Sequence, residues 1–266
     1  MTPVTPSLVA CCTCSSKQRL LNGFAAMVGV VYSLLILPNW AQAEQLPLSF
    51  SISDSLSMPL VGLDNGVANE GVLYELETRL AKQVNRKALL VTLPRPRIYR
   101  LLRRGKIDVH CYASKGWMKA YDAQYAWSVP IMVQRDFLIA RASQTTVKAP
   151  PIGALVGTVN GYVYTSLTHR FASGQLIRDD ARTQEQVINK LKAQRYDYAV
   201  TNEMSFNWYK KTKHSEQQLQ KLQMIQQSEI SCMVRKGPDI PTQEILSAIK
   251  TMVTNGDVEG IIAQYR

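Results

Sequence analysis

The chain has 266 residues, 46% hydrophobic and 19% charged, with a formal net charge of +11. That composition excludes an intrinsically disordered chain and leaves enough apolar side chain for a sizeable core. What the positive charge is for depends on the compartment, and the first forty residues bear on that directly.

Residues 1–43 contain no Asp or Glu, and an apolar run from Leu20 to Leu37 follows Lys17 and Arg19. This is the order of a secretory signal, and Ala41-Gln42-Ala43 after Pro38 supplies the small-x-small pattern that a signal peptidase reads. The expectation is a periplasmic protein cleaved after about Ala43. The competing reading is a single membrane anchor, which the short span and the polar start at Asn22 and Gly23 disfavour. A lipoprotein is disfavoured because Cys11, Cys12 and Cys14 precede the apolar run instead of following it. Removing the segment lowers the net charge by two and leaves Cys111 and Cys232. In an oxidising compartment these two can form one intramolecular disulfide, with a pair of buried free thiols as the alternative. Export also separates the chain from DNA, and no zinc-finger, RNP or basic-zipper pattern is present, so no nucleic-acid partner is expected.

Short apolar runs then alternate with helix-like segments, the pattern of α/β layers around a largely parallel sheet. The first strand is expected at Leu46 to Ile52 and the first helix at Gly71 to Val84. There Leu73, Leu76, Leu80 and Val84 form an apolar stripe, while Glu75, Glu77, Arg79 and Lys82 take the other faces. A strand over Ala88 to Leu93, a basic helix from Arg97 to Arg104 stopped by Gly105, and a strand over Ile107 to Ala113 complete a first β-α-β-α-β series. An aromatic-rich loop follows with Trp117, Tyr121, Tyr125 and Trp127, then a strand over Met132 to Ala140. The polar stretch Gln144 to Pro151 separates this from a second series. It comprises a strand over Ile152 to Thr158, a helix over Tyr164 to Phe171, a short strand at Leu176 and Ile177, a helix over Thr183 to Gln194, and a strand over Tyr196 to Thr201. Thr183 and Gln186 have the form of a capping box. A strand at Ile230 to Val234 and a helical C-terminal segment from Thr242, with a turn at Asn255-Gly256, close the chain.

Five motifs in this order resemble the family 3 extracellular solute-binding proteins, which include the polar amino-acid receptors of ABC importers. They are Leu101-Leu102-Arg103-Arg104-Gly105-Lys106-Ile107-Asp108, Trp127-Ser128-Val129-Pro130, Val156-Gly157-Thr158-Val159-Asn160-Gly161-Tyr162, Leu191 to Val200, and Asn255-Gly256-Asp257 with Ile261 to Arg266. The resemblance implies a two-lobed periplasmic binding protein fold of type II, each lobe a mostly parallel sheet flanked by helices and the lobes joined by two hinge strands. By resemblance, residues 44–136 begin lobe one, 137–231 form lobe two, and 232–266 return to lobe one. That topology would bring Cys111 close to Cys232 and so favours the disulfide.

The resemblance also implies a small ligand between the lobes, at the carboxyl ends of strands and near helix N-termini. The candidate ligand residues are therefore Asp54, Tyr112, Ser114, Trp117, Asn160, Tyr162, Asn202 and Glu203. Amino-acid receptors of this family carry an Arg that clamps the ligand carboxylate in the Ser114 to Trp117 region; Trp117 stands there instead. The Asp expected for a ligand ammonium is replaced by Asn202 followed by Glu203, and Glu203 could serve an amine. Arg95, Arg97, Arg100, Arg103, Arg104 and Lys106 read as a solvated helix face in preference to an anion site. The expected function is capture of a small polar or amine-bearing molecule by a monomer that docks on an ABC permease or a membrane receptor. No catalytic residue, cofactor or metal is expected. His110, His169 and His214 form no metal motif and no G-x-S-x-G is present. The rival is a dehydratase-like enzyme on the same fold, for which Glu203 has no partner at a defined spacing.

Overall fold

A computed structural model describes residues 46–118, 123–142, 149–212 and 219–266. The expected signal segment, Tyr121, His214 and most of the Gln144 to Pro151 stretch lie outside these residues. Among the described residues no helix is long and apolar enough to cross a membrane.

The chain opens with strand β1 (Leu48–Ser53), a short hairpin of β2 (Gly62–Asp64) and β3 (Val67–Glu70), helix α1 (Val72–Gln83), and strand β4 (Ala88–Leu93). The hairpin is unanticipated by the sequence pattern. Gly71 begins α1 with φ 104°, and a Cβ there would sit 2.7 Å from the Val61 backbone, so only glycine lets the hairpin turn into the helix. The expected apolar stripe of α1 is buried: Leu73, Leu76, Leu80 and Val84 are nearly inaccessible. Glu77, expected on an outer face, is fully buried as well.

Helix α2 (Arg95–Arg103), strand β5 (Val109–Ala113) and strand β6 (Tyr125–Trp127) follow. Strands β4, β1 and β5 run parallel, with Phe50 beside both Leu90 and Val109. All five residues of β5 are buried, as expected for a strand covered on both faces. Strand β7 (Met132–Arg141) then leads to β8 (Ala154–Val159), α3 (Thr168–Ala172), β9 (Leu176–Ala181), α4 (Gln184–Lys192) and β10 (Tyr198–Asn202). Strands β10, β8 and β9 form a second parallel block. Gly157 on β8 lies against the Tyr196 ring so closely that no larger residue fits. At the start of α4 the Thr183 hydroxyl accepts the Gln186 amide N–H (3.2 Å), half of the expected capping box; the Gln186 side chain accepts from the Arg182 N–H (3.1 Å), one residue early.

Helix α5 (Glu203–Thr212) and the 17-residue strand β11 (Leu219–Arg235) follow, then α6 (Thr242–Thr254) and α7 (Asp257–Gln264). The strand order β4-β1-β5-β11-β7-β10-β8-β9 places the two parallel blocks on either side of the antiparallel pair β7 and β11. The first part of β11 pairs with β7, from Leu219 beside Arg141 to Ile230 beside Met132, and its last residues pair with β5 and β6. Two lobes joined by two hinge strands result.

The joint is fastened at two points. Cys111 on β5 is bonded to Cys232 on β11. The Asp108 carboxylate accepts from the Ser49 N–H (2.9 Å) and hydroxyl (2.8 Å) on one oxygen, and from the Arg235 guanidinium (3.0 and 3.1 Å) on the other. The aspartate closing the Leu101 to Asp108 motif thus ties β1 to β11.

Candidate functional site

The carboxyl ends of β1 and β5, the start of α2, the segment after β8 and the hinge strands meet between the lobes. Along β1 the serines alternate with Leu48, Phe50 and Ile52, so Ser51 and Ser53 share the face away from those apolar residues. Ser51 Oγ lies 2.8 Å from His110 Nδ1, and the Ser53 and Ser55 hydroxyls are 2.7 Å apart. Burial, reinforced by the Arg95 charge, lowers the His110 pKa to about 4 against an opposing bond to the Ser51 backbone, so its imidazole is neutral at pH 7.

Tyr112, the fourth residue of β5, has φ 64°, a left-handed conformation rare for a bulky residue. Its hydroxyl donates to the Gln134 carbonyl oxygen on β7. Gln134 in turn donates its amide N–H to both oxygens of Asp136 (2.8 and 3.0 Å), and Gln226 on β11 donates to Asp136 Oδ2 (2.7 Å). Gln226 also accepts from the Thr165 hydroxyl (3.1 Å) and reaches the Val163 carbonyl (3.4 Å). Asp136 is 3% exposed; burial raises its pKa, and the Gln226 and Gln134 bonds oppose that rise. Tyr112, Tyr162 and Tyr164 are all buried, and burial pushes each phenol upward.

On this side of the hinge ribbon, contacts cross from one lobe to the other. The Arg95 guanidinium, at the start of α2, lies 4.3 Å from the centre of the Tyr162 ring. Arg182, just after β9, donates to Asp54 Oδ2 at 2.9 Å. Behind Tyr162, Arg178 on β9 donates to the Tyr162 and Val159 carbonyls (3.3 and 3.1 Å) and pairs with Asp180 (2.9 Å), holding the loop that presents both tyrosines.

Of the expected ligand residues, Asp54, Tyr112 and Tyr162 meet here. Trp117 is half-buried with its ring 6.5 Å from that of Tyr112, and Ser114 is buried, its carbonyl accepting the Trp117 N–H in a turn (2.9 Å). Asn160 is exposed and its backbone N–H bonds the Ala181 carbonyl (2.9 Å). Asn202 is buried and its side-chain oxygen accepts the Ser205 N–H (2.8 Å), which caps α5. Glu203 lies on the other side of the hinge ribbon. It accepts from Lys221 (2.8 Å) and from Arg135 (3.4 Å), whose side chain leaves β7 on the face opposite Asp136, and lines a cavity of about 470 Å³ with Val133 and Tyr265. The Lys221 bond, ahead of Arg135, holds its carboxyl below the usual range.

Sequence reasoning missed Asp136, Gln134 and Gln226, and grouped Arg95 with the solvated basic face. Arg97, Arg100, Arg103, Arg104 and Lys106 are exposed as expected; Arg95 alone of the six turns inward onto Tyr162. The available signal for Asp136 was an acid placed two residues from Gln134 in an expected strand, which puts both on one face.

Comparison with solved structures gives the architecture directly. The structure of an ancestral arginine-binding protein bound to arginine superposes with a TM-score of 0.68 at 20% identity, covering 84% of this chain and 99% of that one. This is the two-lobed binding-protein fold. A histidine kinase sensor domain with similarity to periplasmic binding proteins matches with a TM-score of 0.65 at 17% identity over 84% of this chain and 96% of that one. An ancestral amino acid-binding protein described as a precursor of cyclohexadienyl dehydratase gives 0.66 at 16% identity over 82% and 95%. No protein-family model matches the chain, and no curated protein matches it in sequence. In this fold Ser51, His110, Tyr112, Asp136, Tyr162 and Arg95 come together where the hinge strands meet the two lobes.

Proposed function

We propose that this chain is an exported solute-binding protein that encloses a small polar molecule between its lobes and performs no chemistry on it. The lobes divide at residues 136 and 231, the chain acts as a monomer, and the loaded form docks on an inner-membrane ABC permease through the outer surfaces of both lobes. The observation that carries this reading is the convergence of charged and hydrogen-bonding side chains of both signs, Asp136 and Arg95, around three buried tyrosines at the carboxyl ends of the strands. Such a mixture suits a solute with polar groups at more than one point and an apolar body. Export rests on the signal pattern of residues 1–43.

The test is thermal unfolding of the purified chain against amino acids, polyamines, organic acids and quaternary amines. A solute present at a hundredfold its Kd adds about 2.7 kcal/mol and raises Tm. Recovery of the solute unchanged supports binding without turnover; its consumption moves the assignment to an enzyme. The enzymatic reading has one observation of its own, the Ser51 hydroxyl 2.8 Å from His110 Nδ1. Among the described residues no third side chain orients that imidazole, and its low pKa makes it a weak base at neutral pH.

A further inference from the structure

We propose that Asp136 is the seat for a positively charged group on the solute, an ammonium or guanidinium, and is therefore the residue that sets the charge class of ligand this cleft accepts. The inference rests on the solute-binding reading and deepens it. The carboxylate is 3% exposed and its hydrogen bonds come from two neutral amides, Gln134 and Gln226. Among the described residues no Lys, Arg or His forms an ion pair with it, in contrast to Glu203, Asp54, Asp108 and Asp180, each of which has one. A buried carboxylate with neutral donors alone keeps most of its desolvation cost, and a cation delivered to it in a closed cleft gains the full benefit of low local polarity.

Position agrees with chemistry. Asp136 sits on the hinge strand and acts electrostatically on Tyr112 from one lobe and on Tyr162 and Tyr164 from the other. Arg95 acts on Tyr112 and Tyr162 with the opposite sign. The cleft therefore has a negative end at the hinge and a positive end at α2, and a cation is drawn to the hinge end. The tyrosine rings beside Asp136 add faces on which an ammonium or guanidinium is favourable. Gln134 and Gln226 are positioning residues: each holds the carboxylate from a different hinge strand, so the pair β7 and β11 fixes its direction as the hinge bends.

Calorimetric titration of the purified chain with agmatine, putrescine and L-arginine, and with glutaramide and glutarate as uncharged and anionic comparators, tests this. At least one of the three cationic probes is expected to bind, and Asp136→Asn is expected to weaken it by at least about tenfold while the Tm of the solute-free protein holds or rises. A second variant, Gln226→Lys, supplies an ammonium within reach of Asp136 and is expected to abolish binding of the cationic probes while stabilising the solute-free protein. Binding of a cationic probe that survives both substitutions overturns the assignment of Asp136 and leaves solute binding intact. Binding of the comparators alone does the same. Absence of binding by every probe and by the wider solute panel overturns both. If Asp136→Asn does not fold, retention of cation binding by Gln226→Lys is the overturning result.

Discussion

At the scale of single residues, two buried ionisable groups carry opposite signatures in pH. Glu77 on α1 is fully buried, neither carboxylate oxygen has a hydrogen-bond partner, and burial raises its pKa well above 4.5. The folded state therefore holds this proton more tightly than the unfolded state, so its contribution to stability is complete below the ordinary glutamate range and is lost as pH rises toward the folded value. Glu77→Met is expected to stabilise the protein by about 2 kcal/mol at pH 8 and to do less at pH 4, read by urea denaturation at the two values. His110 runs the other way. Its pKa falls from 6.5 to about 4, so stability is present above 6.5 and is lost as pH falls from 6.5 to 4. His110→Asn is expected to flatten Tm against pH across that interval. Neither group announces itself in the sequence: Glu77 stands at a helical spacing from Leu73 that puts it beside the apolar stripe, and only packing decides which flank is covered.

At the scale of elements, the strongest local constraints are the fastenings between β5, β1 and β11. Asp108 and Arg235 are 14% and 17% exposed, so their bidentate pair is shielded from solvent, and Asp108→Ala leaves a guanidinium with one fewer partner and Ser49 unsatisfied. A loss of about 3 kcal/mol is expected from equilibrium unfolding. The bond between Cys111 and Cys232 closes a segment of 121 residues, and replacing both cysteines by serine is expected to cost about 4 kcal/mol by the same measurement. These elements were legible: β4 falls at Ala88–Leu93 as expected, β5 and β7 within two residues, and the stripe of α1 is buried. Where the pattern failed, the cause is visible. The first half of β11 has register shifts between Lys221 and Gln223 and between Met224 and Gln226, which break the alternation that marks a strand and leave Leu219, Leu222 and Ile225 three apart, a helical spacing. Its residues are half-buried and glutamine-rich, so composition did not help. Arg95 was illegible for a related reason, because within a run of six basic residues nothing in the sequence distinguishes the one that turns inward.

At the scale of the whole molecule, the ion pair that Asp54 and Arg182 make from one lobe to the other is of modest strength. The Asp54 and Arg182 side chains are 19% and 70% exposed, and an ion pair of that exposure contributes no more than about 1 kcal/mol. Arg182→Ala is accordingly expected to shift any equilibrium in the separation of the lobes by no more than about fivefold, seen as a slightly larger radius of gyration by solution scattering. The path of the chain has a further consequence for how the protein is made. Strands β7 to β10 and helices α3 to α5 occupy one continuous stretch, Met132 to Thr212, whereas the other block waits for the last residues of β11 and for α6 and α7 before β5 has its neighbour and α1 its cover. As the chain emerges amino end first, the block begun first has its three parallel strands by Ala113 but stays open at the edge of β5 until β11 is made, whereas the block synthesised second has all its own strands and helices by Thr212. A growing chain of this topology thus carries an open strand edge and an unbridged Cys111 thiol while the 121 residues up to Cys232 are added, the stage at which an edge-binding chaperone has most to protect.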